Sequence, residues 1–379
     1  MKKTFSKVLC LFLVLVLAAM ALISCGEAEK ADTFKIGATG PLTGGAASYG
    51  LSVQKGATIA IEEINAAGGL NGYLFSFSMK DDQAEAAPAG ANYDTLFEDG
   101  MQASLGAVTS ASCKAFAAKA VEDKLFFITP SASEQAVIEY GDNCFRICFG
   151  DPDQGVLAAD KIKADGYSNI GCIYDSSDSY SAGIYAAFEA QCKKIGLTYK
   201  VQTFDNENKL DFSTQVEALK DCDLIFMPFY YTEASLVAKA CAAKGCKAVL
   251  FGCDGFDGIK DMFTESDNIP NQILYITPFN AASEDAAVVK FVNAFKAKYN
   301  ETPDQFAADG YDAMMSIYYA MKAADVKDVK ISAADLCDIL VAKFTSPDFV
   351  YTGATGTMTW DKSGACAKTP QIVELKIGK

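Results

Sequence analysis

Two short hydroxyl-rich stretches, Thr109-Ser110-Ala111-Ser112 and Ser131-Ala132-Ser133, each follow a run of apolar residues and precede a helical pattern. A loop opening a helix offers free backbone N–H groups and a favourable dipole, so either stretch could hold a carboxylate. The same serines could equally be ordinary helix N-caps. Carboxylates able to act as acid, base or cation acceptor occur at Asp81, Asp82 and Asp254, the last within Phe251-Gly252-Cys253-Asp254-Gly255. Asp254 also suits a turn residue before Gly255. The chain has no histidine, which removes Ser-His-Asp and Cys-His nucleophile systems, the usual zinc sites and the commonest general base near neutrality. An enzyme is thereby disfavoured, and no metal set or cofactor site is expected. Gly37-Ala38-Thr39-Gly40 looks like the start of a dinucleotide fingerprint, but Gly44 falls one residue late and Pro41 interrupts the turn.

These residues sit in an alternation of strand and helix patterns. Phe34 to Thr39, Leu74 to Met79, Ser104 to Val108 and Leu125 to Thr129 read as strands. Tyr49 to Ala66 carries a helical stripe of Val53, Ala57, Ala60, Ile61 and Ile64 and stops at Gly68-Gly69. After the extended run Cys144 to Phe149 the alternation restarts, with strands at Ile170 to Tyr174, Thr198 to Phe204, Leu224 to Phe229 and Ala248 to Gly252. The extended Ile273 to Phe279 leads to a helix-rich stretch from Ala286 to Lys343, expected to pack back on the first sheet. Thr355 to Trp360 and Ile372 to Ile377 read as closing strands. The expectation is an α/β chain of two Rossmann-like lobes with parallel sheets and a cleft between them.

The N-terminus has a cationic start at Lys2, Lys3 and Lys7, an apolar stretch from Val8 to Ile23 that falls short of the ~20 residues of a membrane span, and then Ser24-Cys25. That layout resembles a bacterial lipoprotein signal, with an uncleaved anchor helix as the alternative. It implies removal of residues 1–24, acylation of Cys25, a lipidated tether over 25–33, and an extracytoplasmic protein held to the membrane. The net charge of −15 argues against nucleic acid as a partner. Of 13 cysteines, Cys10 leaves with the leader and Cys25 is the lipid site. An odd number remains, none spaced C-x-x-C, and most lie inside apolar runs as small buried hydrophobes. No disulfide pairing is assigned.

The ordered series Ile36-Gly37-Ala38-Thr39-Gly40-Pro41-Leu42-Thr43-Gly44, Tyr49-Gly50, Ile64-Asn65-Ala66-Ala67-Gly68-Gly69-Leu70-Asn71-Gly72, Asp81-Asp82-Gln83, Ile128-Thr129-Pro130-Ser131-Ala132-Ser133, Phe145-Arg146 and Gln154-Gly155 resembles the leucine/isoleucine/valine-binding family of solute-binding lipoproteins that serve ABC transporters. The resemblance spans essentially the whole chain after the leader. It implies a type I periplasmic-binding fold with three hinge crossovers, placed near Phe149, Pro278 and Tyr351. Lobe I would comprise 34–148 plus 279–350, and lobe II 149–278 plus 351–379.

By the same resemblance, Ser110 would give its hydroxyl and N–H to an amino-acid carboxylate. The backbone of Ala132 and Ser133 would add to that grip, with the Ser133 hydroxyl free to reach either charged group. Asp254, where the family often carries Glu, would accept the ammonium from the other lobe. Tyr49, often Trp in branched-chain binders, would wall the side chain together with Tyr180, Tyr230 and Phe306. The implied protein is a monomer that closes on an apolar or aromatic amino acid and delivers it to a permease and ATPase complex. Two other readings are a ligand-sensing lipoprotein signalling through a membrane partner, and an anchored enzyme using Asp81, Asp82 or Asp254.

Overall fold

A computed structural model describes residues 32–264 and 266–375; the leader, Cys25 and its tether lie outside them. In the first lobe, β1 (Thr33–Gly40), β2 (Leu74–Asp81), β3 (Ala103–Ala107), β4 (Phe127–Thr129) and β5 (Cys144–Arg146) form a parallel sheet in the order β2-β1-β3-β4-β5. Every residue of β3 is buried, as a strand covered on both faces by helices must be. Those helices include α1 (Ala47–Ala66), α2 (Ala86–Glu98) and α3 (Ser110–Glu122).

The chain crosses to the second lobe after β5 and enters α4 (Asp151–Ala164). There follow β6 (Ile170–Asp175), α5 (Ser179–Ile195), β7 (Lys200–Phe204), α6 (Ser213–Leu219), β8 (Leu224–Met227), α7 (Tyr231–Lys244), β9 (Val249–Gly252) and β10 (Ile273–Thr277). The order β7-β6-β8-β9-β10 repeats the winding of the first sheet, extended by β13 (Gln371–Leu375), which runs antiparallel against β10. Each sheet thus has a switch point, between β1 and β3 in one and between β6 and β8 in the other. Open α/β sheets bind ligands in the crevice at the C-terminal strand ends there.

After β10 the chain returns to lobe I with α8 (Ala286–Tyr299), α9 (Gln305–Ala323) and α10 (Ala333–Phe344). These helices join the first sheet's core: Phe291, Met314, Ile317, Leu336 and Phe344 pack with Phe34, Ile36, Leu105 and Phe126. α9 lies close against α1. A Cβ on Gly56 would come within 1.9 Å of the Ala307 carbonyl oxygen, and one on Gly310 within 2.7 Å of that of Val53, so the two helices meet backbone to backbone.

The segment after Val350 departs from the expected division. Tyr351–Gly353 (β11) and Gly356–Met358 (β12) form a hairpin, and Tyr351, Met358 and Trp360 are buried in the lobe I core. The Asp312 carboxylate, buried in α9, accepts from Tyr351 OH, Ala354 N–H, and the N–H and hydroxyl of Thr355. Trp360 Nε1 donates to Arg146 O at 2.9 Å. A buried carboxylate needs such donors, and they hold 351–366 on lobe I. The third crossover therefore lies just before β13 rather than at Tyr351, and only β13 belongs to lobe II. Lys368, within that crossover, donates to Asp309 Oδ1 at 2.6 Å and Thr355 Oγ1 at 2.8 Å.

Candidate functional site

At the lobe I switch point, β3 runs into α3 through Val108 and Thr109. Thr109 is the extended N-cap, and its side chain makes no cap bond; its hydroxyl turns to Ser112 Oγ at 3.1 Å. Ser110 is therefore the first helical residue and not the cap. Its hydroxyl accepts from Glu134 N–H at 3.3 Å. Among the described residues no side chain satisfies the first-turn N–H groups of α3, which leaves a helix N-terminus facing the cleft.

The second hydroxyl-rich stretch is built differently. Ser131-Ala132-Ser133 leads only to a single 3-10 turn, Gln135–Ile138, so it has no α-helical N-terminus. Thr129 Oγ1 already takes the N–H of Ala132 at 3.0 Å, which removes that donor from the expected grip. Ser131 Oγ donates to Val108 O at 2.6 Å, tying the two turns together. The Ser133 carbonyl accepts from Arg146 Nη1 at 2.9 Å and Asp151 N–H at 3.0 Å.

Across the cleft, Asp254 opens a 3-10 turn at the end of β9. Its Oδ1 accepts from Tyr180 OH at 2.6 Å and Gly255 N–H at 2.9 Å. Its backbone is held at both ends, the N–H by Gln154 Oε1 at 3.0 Å and the carbonyl by Gln305 Nε2 at 2.6 Å. Gly255 permits this approach, since a Cβ there would lie 2.8 Å from Tyr180 OH. Burial raises the Asp254 carboxyl above its usual range, against the hydrogen bonds of Tyr180, Gln154 and Gly255.

Tyr49 reaches over from α1, donating its hydroxyl to Gly255 O at 2.5 Å. Its ring lies 4.2 Å from Phe306 and 5.5 Å from Tyr230, while Tyr180 and Tyr230 stack at 4.9 Å. These side chains, with Ser110, Ser131 and Asp254, enclose a cavity of about 20 Å³. A larger space of about 470 Å³ shares Thr109 and Tyr230 with it and opens along the rim, where Asp175, Asp178 and Glu233 make the lining acidic. Of the residues expected from the sequence, Tyr49, Ser110, Tyr180, Tyr230, Asp254 and Phe306 line the small cavity; Ala132 and Ser133 do not.

Sequence reasoning missed Asp151 and Gln154. Both carboxylate oxygens of Asp151, Gln154 Nε2 and Ser133 Oγ are buried with no hydrogen-bond partner among the described residues. Burial pushes the Asp151 carboxyl well above the ordinary range, and the Asp254 charge adds to the rise, against the nearby Ser133 hydroxyl and Arg146. The signal available was Asp151-Pro152 opening a helix beside the quoted Gln154-Gly155. Asp81 and Asp82 line neither face of the small cavity. Asp81 is spent on Leu42 N–H, Thr43 and Gln83 N–H, which hold its carboxyl down against burial, and burial pushes Asp82 up to about 6. No acid-base pair forms around Asp254 from these residues.

The family described as periplasmic binding protein matches residues 33–363. The Leu/Ile/Val-binding protein homolog 3 of Brucella melitensis is 27% identical over 92% of each chain. The leucine-, isoleucine-, valine-, threonine-, and alanine-binding protein of Pseudomonas aeruginosa is 28% identical over 96% of this chain and 94% of its own. The crystal structure of the branched-chain amino acid transporter substrate-binding protein LivJ from Streptococcus pneumoniae, in complex with isoleucine, superposes with a TM-score of 0.82 at 29% identity, covering 92% of this chain and 97% of that one.

Proposed function

The chain belongs to the periplasmic binding protein family, and on that premise we propose that it binds a free amino acid with an apolar side chain, branched-chain amino acids foremost, and delivers it to an ABC importer. The observation that carries this reading is the pairing of opposite chemistries across one cavity. The bare N-terminus of α3 and Ser110 stand on lobe I; Asp254, oriented by Tyr180 and Gly255, stands on lobe II. The first suits a carboxylate and the second an ammonium. A zwitterion placed between them pairs both charges as it loses water, which unpaired would cost several kcal/mol each. Asp151 lies outside the lining of the cavity, close enough to Asp254 to feel its charge. Tyr49, Tyr180, Tyr230 and Phe306 supply an apolar wall for the side chain.

A cavity of about 20 Å³ is no larger than one water needs, so ligand entry requires the lobes to part. Contacts made to both lobes at once then favour the closed arrangement. The chain acts as a monomer outside the cytoplasm, tethered through an acylated Cys25. No catalytic step and no cofactor are assigned to it; transport is driven by the ATPase of the partner complex. The names of the Brucella and Pseudomonas relatives support this ligand class.

Calorimetric titration of the leader-free chain against an amino-acid panel tests the reading. Single-site binding of leucine, isoleucine or valine, tighter than that of charged amino acids, is expected; no binding to any free amino acid would overturn it. The tether is tested separately by mass spectrometry of membrane-extracted protein, which should carry a diacylglyceryl group on Cys25.

A further inference from the structure

Two of the described free cysteines are placed unlike the rest. α7 turns back at Gly245, whose φ of 69° and ψ of 22° are left-handed. Gly245 N–H donates to Ala242 O at 3.3 Å, and Cys246 N–H reaches back to Cys241 O at 2.9 Å. This pair of bonds defines a Schellman cap, in which the side chain just beyond the turn folds onto the one in the last helical turn. Here those two side chains are Cys246 and Cys241, both fully buried in one cluster. We propose that Cys241 and Cys246 are a redox pair that closes a disulfide across the C-terminal cap of α7 by exchange with a small-molecule disulfide.

The cap brings the two residues together through the bond from Cys246 N–H to Cys241 O at 2.9 Å, and the link requires their Cα atoms to lie ~4.4–6.8 Å apart with converging Cβ vectors. Each thiol is the strongest influence on the other: Cys241 holds the Cys246 thiol down, against burial, while Cys246 raises that of Cys241. Cys246 is thus the attacking sulfur. Its side chain is as buried as that of Cys241, but it lies in the turn between exposed Gly245 and Lys247, so local opening of that turn uncovers it first. Its thiolate attacks one sulfur of the small disulfide and expels one thiolate. Cys241 then loses its proton to solvent and attacks the mixed disulfide at Cys246, expelling the second. Two protein thiols and one small disulfide become one protein disulfide and two small thiols. Cys246 also acts on the Cys222 thiol, but less than the burial of Cys222 and Lys200 do, and the Cys222 sulfur is turned to Asn169 Oδ1 at 3.8 Å.

The folded, leader-free chain is equilibrated with oxidised and reduced glutathione over a range of ratios, alkylated, digested without reduction and mapped by mass spectrometry. A Cys241–Cys246 link is expected, with a mass lower by about 2 Da than the dithiol, while the other described thiols stay reduced until the protein is denatured. In C241A, glutathione should remain attached to Cys246. Absence of the link at every ratio, a Cys222–Cys246 link in its place, or a link formed only in denaturant would each overturn the proposal.

Discussion

Asp254 and Asp151 are buried carboxyl groups whose pKa values burial raises, and the charge of Asp254 adds to the rise at Asp151. An ammonium arriving beside Asp254 would stabilise its ionised form, and at longer range that of Asp151, so ligand and proton compete. The sign follows: as pH falls through the raised carboxyl range, above the ordinary ~4, the unliganded acids gain protons and affinity for the amino acid drops. Titrations in buffers of different ionisation enthalpy should register proton release on binding at mildly acidic pH, and none at mildly alkaline pH. Asp254→Asn removes the charge while keeping the shape, leaving the ammonium underpaired. A loss of about 2–3 kcal/mol, or tens to about a hundredfold in Kd, is expected, with unchanged circular dichroism. Ser110→Ala should cost about 1 kcal/mol, since the N–H groups of α3 remain. An unchanged affinity in the Asp254 variant would remove that residue from the site.

Helix α3 contributes its N-terminus because Thr109 spends its hydroxyl on Ser112, and α1 contributes Tyr49 because it is clamped to α9. That clamp has no room for a methyl group at Gly56, where a Cβ would stand 1.9 Å from a backbone oxygen. Gly56→Ala should therefore destabilise the protein by about 1–3 kcal/mol despite alanine's better helix propensity, read as a lower denaturation midpoint at unchanged m. Weaker ligand affinity should accompany it, since Tyr49 and Phe306 sit near the starts of the two helices that would be forced apart.

At the scale of the molecule, two lobes of the same winding are joined by three crossovers, and the last is pinned by a buried ion pair. Burial works against the Lys368 ammonium, but Asp309 beside it more than offsets this and its pKa is raised. Burial pushes Asp309 up to about 6 against the pull of Lys368. We take the pair as ionised at neutral pH, held at 2.6 Å with side chains only 2% and 3% exposed. Lys368→Met leaves Asp309 buried and unpaired and should cost about 3–5 kcal/mol, whereas the double change with Asp309→Leu should recover most of it; denaturant melts of both variants check this. The sequence alone determined the strand and helix order and the two-lobe architecture, because period-2 and helical apolar patterns report burial directly. The family resemblance also pointed to Ser110, Asp254 and the four aromatics, which the fold brings around one cavity. Three things were decided only by tertiary structure: the lobe to which Tyr351–Trp360 adheres, the engagement of the Ala132 N–H by Thr129, and the isolation of the Asp151 carboxylate. Each depends on which polar groups meet across distant segments after folding, a pairing that local pattern and propensity do not encode.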